Sequence, residues 1–181
     1  METKLSDLLF VFDDALSEDV CQRLIEKFEI NKQNHVLINE PGVKFNQLIL
    51  NNLDDSCEEF HKVITSISKF SDLYLNKVGR DLFPQSYLYE EIRIKRYEKN
   101  SDEQFDTHVD VVDHQTSKRF LSFLFYLNDV DEGGQTVFDF GHIVPKCGRL
   151  VMFPPLWMYP HKGEIPSSSQ KYIMSTYLHY R

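Results

Sequence analysis

FLSFLFYL, residues 120–127, is apolar at almost every position. It is bounded by the polar stretch VDHQTSKR before it and NDVDEGG after it. A run this short with no polar face reads as a strand buried on both sides. Toward the C-terminus, turn-like and strand-like pieces alternate. NDVDEGG is a turn, QTVFDF a strand, PKCG a turn and RLVMF (149–153) a strand. PPLWMYPHKGEIPSSSQ is a long loop or hairpin, and KYIMSTYLHY closes the chain as a last strand. Toward the N-terminus, VDHQTSKR is a polar loop, DTHVDVV a strand and EKNSDEQF a turn. In SYLYEEIRIKRY, Ile92, Ile94 and Arg96 alternate with Arg93, Lys95 and Tyr97, the period of two that marks a strand.

Before residue 82 the period changes. LLFVF (8–12) reads as a short strand. Ser17 is a candidate N-cap, with Glu18 and Asp19 in the first turn. Val20, Leu24, Ile25 and Phe28 then share one helical face. Residues 31–55 read as polar and irregular, with a Pro-Gly turn at 41–42. Phe60, Val63, Ile64, Ile67 and Phe70 predict a second amphipathic helix reaching toward Val78. Helices followed by short strands give an α+β chain, a double-sheet jelly roll with the N-terminal helices packed on one sheet. A single domain over residues 1–181 is expected, with helical support over roughly 1–82 and the jelly-roll core over roughly 86–181.

Composition narrows the function. The 181 residues carry a net charge of −8 with their basic residues scattered, so affinity resting on nucleic-acid phosphates is not expected. Cys21, Cys57 and Cys147 are odd in number and show no CxxC spacing. They read as buried thiols of a reducing, intracellular setting. The opening METKLSDLLFVFDD lacks the basic start and long apolar run of a signal peptide, and no segment approaches a membrane span. A soluble cytoplasmic protein is expected.

DTHVD (106–110) carries the chemistry. On a strand, His108 and Asp110 would project to one face, offering an imidazole nitrogen beside a carboxylate. Alone, HxD is as compatible with an exposed strand face as with a metal site. The third ligand would come from elsewhere among seven histidines: 35, 61, 108, 114, 142, 161 and 179. Two histidines and a carboxylate on one side of a metal, with open positions opposite, suit non-haem Fe(II). A zinc hydrolase would want a general-base glutamate, as in HExxH, and that motif is absent.

RY (96–97), HVD (108–110), FYLNDVDEGGQTVF (125–138), GRLVMFP (148–154), His161 and Lys171 occur in an order that resembles the catalytic domain of prolyl 4-hydroxylases, Fe(II)/2-oxoglutarate-dependent dioxygenases. The resemblance covers roughly residues 86–181 and extends weakly to VFDDALSEDVC (11–21). It implies a double-stranded β-helix with Fe(II) on His108, Asp110 and His161. It places Lys171 against the distal carboxylate of 2-oxoglutarate and Tyr97 beside the cosubstrate. Tyr126 reads equally as a second cosubstrate contact or as plain core with a satisfied hydroxyl. Tyr177 stands beside the cosubstrate where many members carry a tryptophan, which implies an altered pocket shape rather than lost binding. Arg119 and Tyr159 match positions that face the substrate in some members. O2 is the implied oxidant and ascorbate the implied reductant.

The resemblance further implies hydroxylation of a prolyl residue in a peptide or protein, releasing succinate and CO2. The polar stretches 31–55 and 111–118 are the expected substrate-selecting loops. Alternatives are the same chemistry on free proline or another amino-acid side chain, and a non-catalytic jelly-roll binding module. A hydrolase or cupin-like isomerase would differ in needing no 2-oxoglutarate.

Overall fold

The computed structural model describes residues 4–53 and 58–181. Strand β1 (Phe10–Phe12) leads into helix α1 (Glu18–Ile30), strands β2 (Val36–Glu40) and β3 (Val43–Ile49), and helix α2 (Glu58–Val78). Strands β4 (Tyr87–Tyr89), β5 (Arg93–Tyr97), β6 (Phe105–His108) and β7 (Arg119–Tyr126) follow. The chain ends with β8 (Thr136–Phe138), β9 (Gly141–Ile143), β10 (Leu150–Phe153), β11 (His161–Gly163) and β12 (Lys171–Tyr180). Among the described residues the strands form one twelve-stranded sheet, ordered β1-β10-β7-β12-β5-β3-β6-β11-β8-β9, with β2 added to β3 and β4 to β12.

The sheet curls into a jelly roll, and the alternation of its strands divides two cores. Leu121, Phe123 and Phe125 of β7 pack with Leu24, Phe28, Val63 and Ile67 of the helices. Leu124 and Tyr126, pointing the other way, pack inside the roll with Phe45, Tyr97, Phe138 and Phe153. That is why 120–127 has no polar face: helices cover one side and the roll closes over the other. The helices bury what their periodicity predicts, with Val20, Leu24 and Phe28 on α1 and Val63, Ile67, Phe70 and Tyr74 on α2. Each such side chain contributes about 1.5–3 kcal/mol by leaving water. Ser17 occupies the N-cap position of α1, but its side chain makes no capping bond. Cys21 is a buried free thiol, while Cys147 is free and only partly buried. The reading of Cys57 lies outside the described residues.

Several elements depart from the sequence reading. Residues 31–55 are not irregular throughout, because β2 and β3 form a hairpin around the Pro-Gly turn. β3 sits between β5 and β6, with Phe45 facing the roll and Leu48 the helices. Its polar residues hide the alternation, since Asn46 finds a buried partner in Glu103. SYLYEEIRIKRY is two strands, both paired to β12. β6 ends at His108 rather than continuing through Val112, and β9 forms an unforeseen hairpin with β8.

Candidate active site

His108 and His161 are direct cross-strand partners of β6 and β11. Their ring centroids lie 4.3 Å apart. Each ring is oriented by its own chain: Nδ1 of His108 meets the Asp106 carbonyl at 2.8 Å, and Nδ1 of His161 the Tyr159 carbonyl at 3.0 Å. A carbonyl only accepts, so both Nδ1 atoms carry the proton and both Nε2 lone pairs are free. His108 lies flat on Phe105, with ring centroids 3.5 Å apart. Burial, and the neighbouring His161, push His108 down to about 4, so it is neutral in ordinary buffers, as a metal ligand must be.

Asp110 reaches the pair from outside the strand. The chain bends after His108, and the bend is pinned by Arg119 Nη1 donating to the Asp110 carbonyl at 2.8 Å and by Val111 N–H donating to Pro155 at 3.1 Å. Oδ1 stands 3.8 Å from His108 Nε2 and accepts the Tyr177 hydroxyl at 2.8 Å. Oδ2 is buried and has no hydrogen-bond partner among the described residues. One donor atom each from His108, Asp110 and His161 lies within 4.8 Å of the others. Two free imidazole nitrogens and an orphaned carboxylate oxygen fit a divalent metal such as Fe(II).

The triad lines a small recess that also contains Lys171, Tyr97 and Thr136. Lys171 is 1% exposed. Its ammonium donates to the Gly134 carbonyl at 2.9 Å and stands 4.6 Å from the Tyr97 ring centroid. Among the described residues no carboxylate lies within ion-pair distance of it. Burial lowers Lys171 to about 7, with a partial opposing pull from Glu164. A buried cation held only by a carbonyl and a ring face fits an incoming carboxylate, such as the distal one of 2-oxoglutarate.

The other expected site residues fall in different places. Tyr97 lines the recess, and no described residue bonds its hydroxyl. Tyr177 lines it too, but its hydroxyl is spent on Asp110. Tyr126, of its two readings, takes the core one: it stands one layer back and donates to Thr136 Oγ1 at 2.6 Å. Arg119 lines an outer groove but is clamped to Glu90 through Nε and Nη2 at 2.7 and 2.8 Å. Tyr159 does not face that groove. The turn that bonds its N–H to Leu156 rolls its ring into the core, 1% exposed, with its hydroxyl on the Leu5 carbonyl. Lys95, Ser122 and Ser175, which the sequence reading missed, complete the recess. Only the inward alternation of their strands could have marked them. His35 and His179 bond the carbonyls of Phe28 and Tyr180, as structural histidines do.

The family model described as the 2OG-Fe(II) oxygenase superfamily matches residues 92–179, the span that contains the triad and Lys171. Residues 92–179 thus carry the sequence pattern of a 2OG-Fe(II) oxygenase. The chain is 30% identical over 135 residues to "Probable prolyl 4-hydroxylase 9" of Arabidopsis thaliana, an alignment covering 71% of this chain and 45% of that protein. The chain thus spans less than half the length of its curated relative. Solved structures share its fold, among them two prolyl hydroxylases. A viral collagen prolyl hydroxylase from Paramecium bursaria Chlorella virus-1, in complex with 2-oxoglutarate, superposes with a TM-score of 0.74 at 23% identity, covering 96% of this chain and 97% of that one. A Pseudomonas putida prolyl-4-hydroxylase superposes with a TM-score of 0.76 at 17% identity, covering 98% and 97%.

Proposed function

We propose that this oxygenase hydroxylates a prolyl residue in a peptide or protein and converts 2-oxoglutarate to succinate and CO2. His108, Asp110 and His161 hold Fe(II), and Lys171 holds the distal carboxylate of the cosubstrate. Once bound, Fe(II), 2-oxoglutarate and O2 supply the oxidation of an unactivated C–H bond. The chain's own residues bind and orient. The carbonyls of Asp106 and Tyr159 keep the imidazoles in the ligating tautomer, and Tyr177 aims the Asp110 carboxylate. Phe105, Leu124, Phe153 and Ile173 wall the recess and keep water away from the reacting centre.

The observation that carries this reading is Lys171, a buried cation with no carboxylate partner among the described residues, in the same recess as the triad. A metal hydrolase has no use for it. The prolyl substrate is supported by the names of the relatives and by the open groove that passes the triad. Ascorbate is the proposed reductant, and a reducing cytoplasm suits the free thiols Cys21 and Cys147. Among the described residues no helix is long and apolar enough to cross a membrane. Residues 1–181 are proposed to act as one catalytic domain.

The test is succinate formation from 2-oxoglutarate with Fe(II), ascorbate and O2, with and without proline-containing peptides. The expected result is a slow rate that peptide stimulates and His108→Ala abolishes. No succinate, together with no 2-oxoglutarate binding by the iron-loaded protein, would leave only a jelly-roll binding module.

A further inference from the structure

Lys95 differs from the other cations of the outer groove. It lies two residues before Tyr97 on β5 and so faces the interior of the roll. It lines both the recess that contains the triad and the open groove outside it. The groove's other two cationic chains are occupied: Arg93 lies 3.0 Å from Glu91 and 3.7 Å from Glu90, and Arg119 is clamped on Glu90. Among the described residues no carboxylate stands within ion-pair distance of Lys95. Its ammonium instead rests between rings, 5.1 Å from the Phe45 centroid and 5.8 Å from that of Phe105.

The position ties Lys95 to the reacting centre. The Phe105 ring lies 3.5 Å from the His108 ring, so the ammonium is within about 9 Å of that imidazole. An extended chain advances about 3.3–3.6 Å per residue, so this distance spans no more than about three residues of a bound peptide. Of the groove's acids, Asp110 is the one whose charge reaches Lys95, and a metal held by the triad would take up that charge, while Glu40 is exposed to solvent at the rim. With a net charge of −8 the molecule as a whole repels acidic peptides, so any preference for one must be local.

We propose that Lys95 recognises a carboxylate on the substrate, an Asp or Glu side chain one to three positions from the residue that is hydroxylated. This rests on the peptide-hydroxylase reading above and adds the chemical class of its substrate. The aromatic cradle holds the ammonium in a partly desolvated place, where a single opposite charge discriminates strongly.

The test is peptide binding by the protein loaded with Fe(II) and 2-oxoglutarate under nitrogen. Fluorescent peptides with a central proline flanked by Glu, Gln or Lys are titrated, and affinity is read from anisotropy. The wild type should prefer the Glu peptide to the Gln peptide by about tenfold or more. Lys95→Met should bind the two alike, and Lys95→Glu should favour the Lys peptide. 2-Oxoglutarate affinity of Lys95→Met is measured alongside by calorimetry, because Lys95 also lines the recess that contains Lys171. Equal binding of Glu and Gln peptides by the wild type would overturn the proposal, as would a Lys95→Met variant that loses its cosubstrate. So would a preference for a free C-terminal carboxylate over the internal Glu. If no proline peptide of any charge binds while 2-oxoglutarate does, the peptide-hydroxylase reading itself fails, and this inference with it.

Discussion

The Tyr177 hydroxyl donates to Asp110 Oδ1 at 2.8 Å and leaves Oδ2 without a partner among the described residues. Lys171 and Tyr177, six residues apart on β12, share the face that lines the recess. One strand therefore carries both the cation suited to a ligand carboxylate and the donor that aims the Asp110 carboxylate.

Burial, then the negative charge of Asp110, raises Tyr177 well above the usual phenol range, so the bond persists through mildly alkaline pH. Tyr177→Phe should weaken metal binding by about 10–100-fold, the usual effect of losing such a partner. Competition for Mn(II) against a chromophoric chelator reads this directly. An unchanged affinity would show that Tyr177 does not orient Asp110.

Lys171 should make stability depend on pH in the protein free of cosubstrate. Its pKa is lowered by burial from 10.5 to about 7, so between those values the unfolded chain binds the extra proton. Stability then rises with pH across this window, by on the order of 2 kcal/mol between pH 7 and 9 at one pKa unit per 1.36 kcal/mol. Lys171→Met should be more stable than wild type at pH 7, lack that rise and lose 2-oxoglutarate binding. Thermal unfolding at both pH values, with and without cosubstrate, checks all three outcomes.

Arg119 and Glu90 form a half-buried pair whose side chains are 15% and 14% exposed. Arg119→Met should cost about 3 kcal/mol by leaving Glu90 without its main partner, and should loosen the Asp110 bend. Adding Glu90→Gln should recover much of the stability but not the metal affinity, because the Asp110 carbonyl still lacks its donor. Chemical denaturation and metal titration of the single and double variants separate the two effects.

Gly133 sits at φ +71°, and a Cβ there would come within 2.4 Å of the Ile165 carbonyl oxygen. Gly133→Ala should destabilise by at least about 1–2 kcal/mol from the left-handed backbone alone. It should also shift the adjacent Gly134 carbonyl away from Lys171. A fall in both Tm and 2-oxoglutarate affinity is expected, and an unchanged affinity would separate the turn from the cosubstrate site.

The elements read most directly from sequence are those whose environment repeats along the chain. α1 and α2 each press one periodic face onto the sheet, while β7 and β12 are buried on both sides, so neighbouring residues carry the same signal. β3 was hidden because its central place is filled by Asn46 and Gln47 among only a few apolar residues, and the partner Glu103 is 57 positions away. For the site, the ordered motifs from RY through Lys171 named residues that the structure gathers in one recess, because ligand sets demand particular residue types. The roles of Tyr126, Tyr159 and Arg119 were not legible. An aromatic or an arginine serves a core, a turn or a ligand equally well.

The sequence by itself determined the layers of the fold and the identity of the residues that gather around the site, since periodicity and side-chain chemistry are local properties. Only the tertiary structure decided their geometry. A strand period would have placed Asp110 beside His108, yet β6 ends at His108, and a bend held by Arg119 and Pro155 carries the carboxylate back. The same curling buries Lys171 with no carboxylate partner among the described residues and leaves Lys95 between the recess and the groove. Such placements depend on which distant groups the sheet brings together or keeps apart, and long-range pairing leaves no mark on the spacing of neighbouring residues.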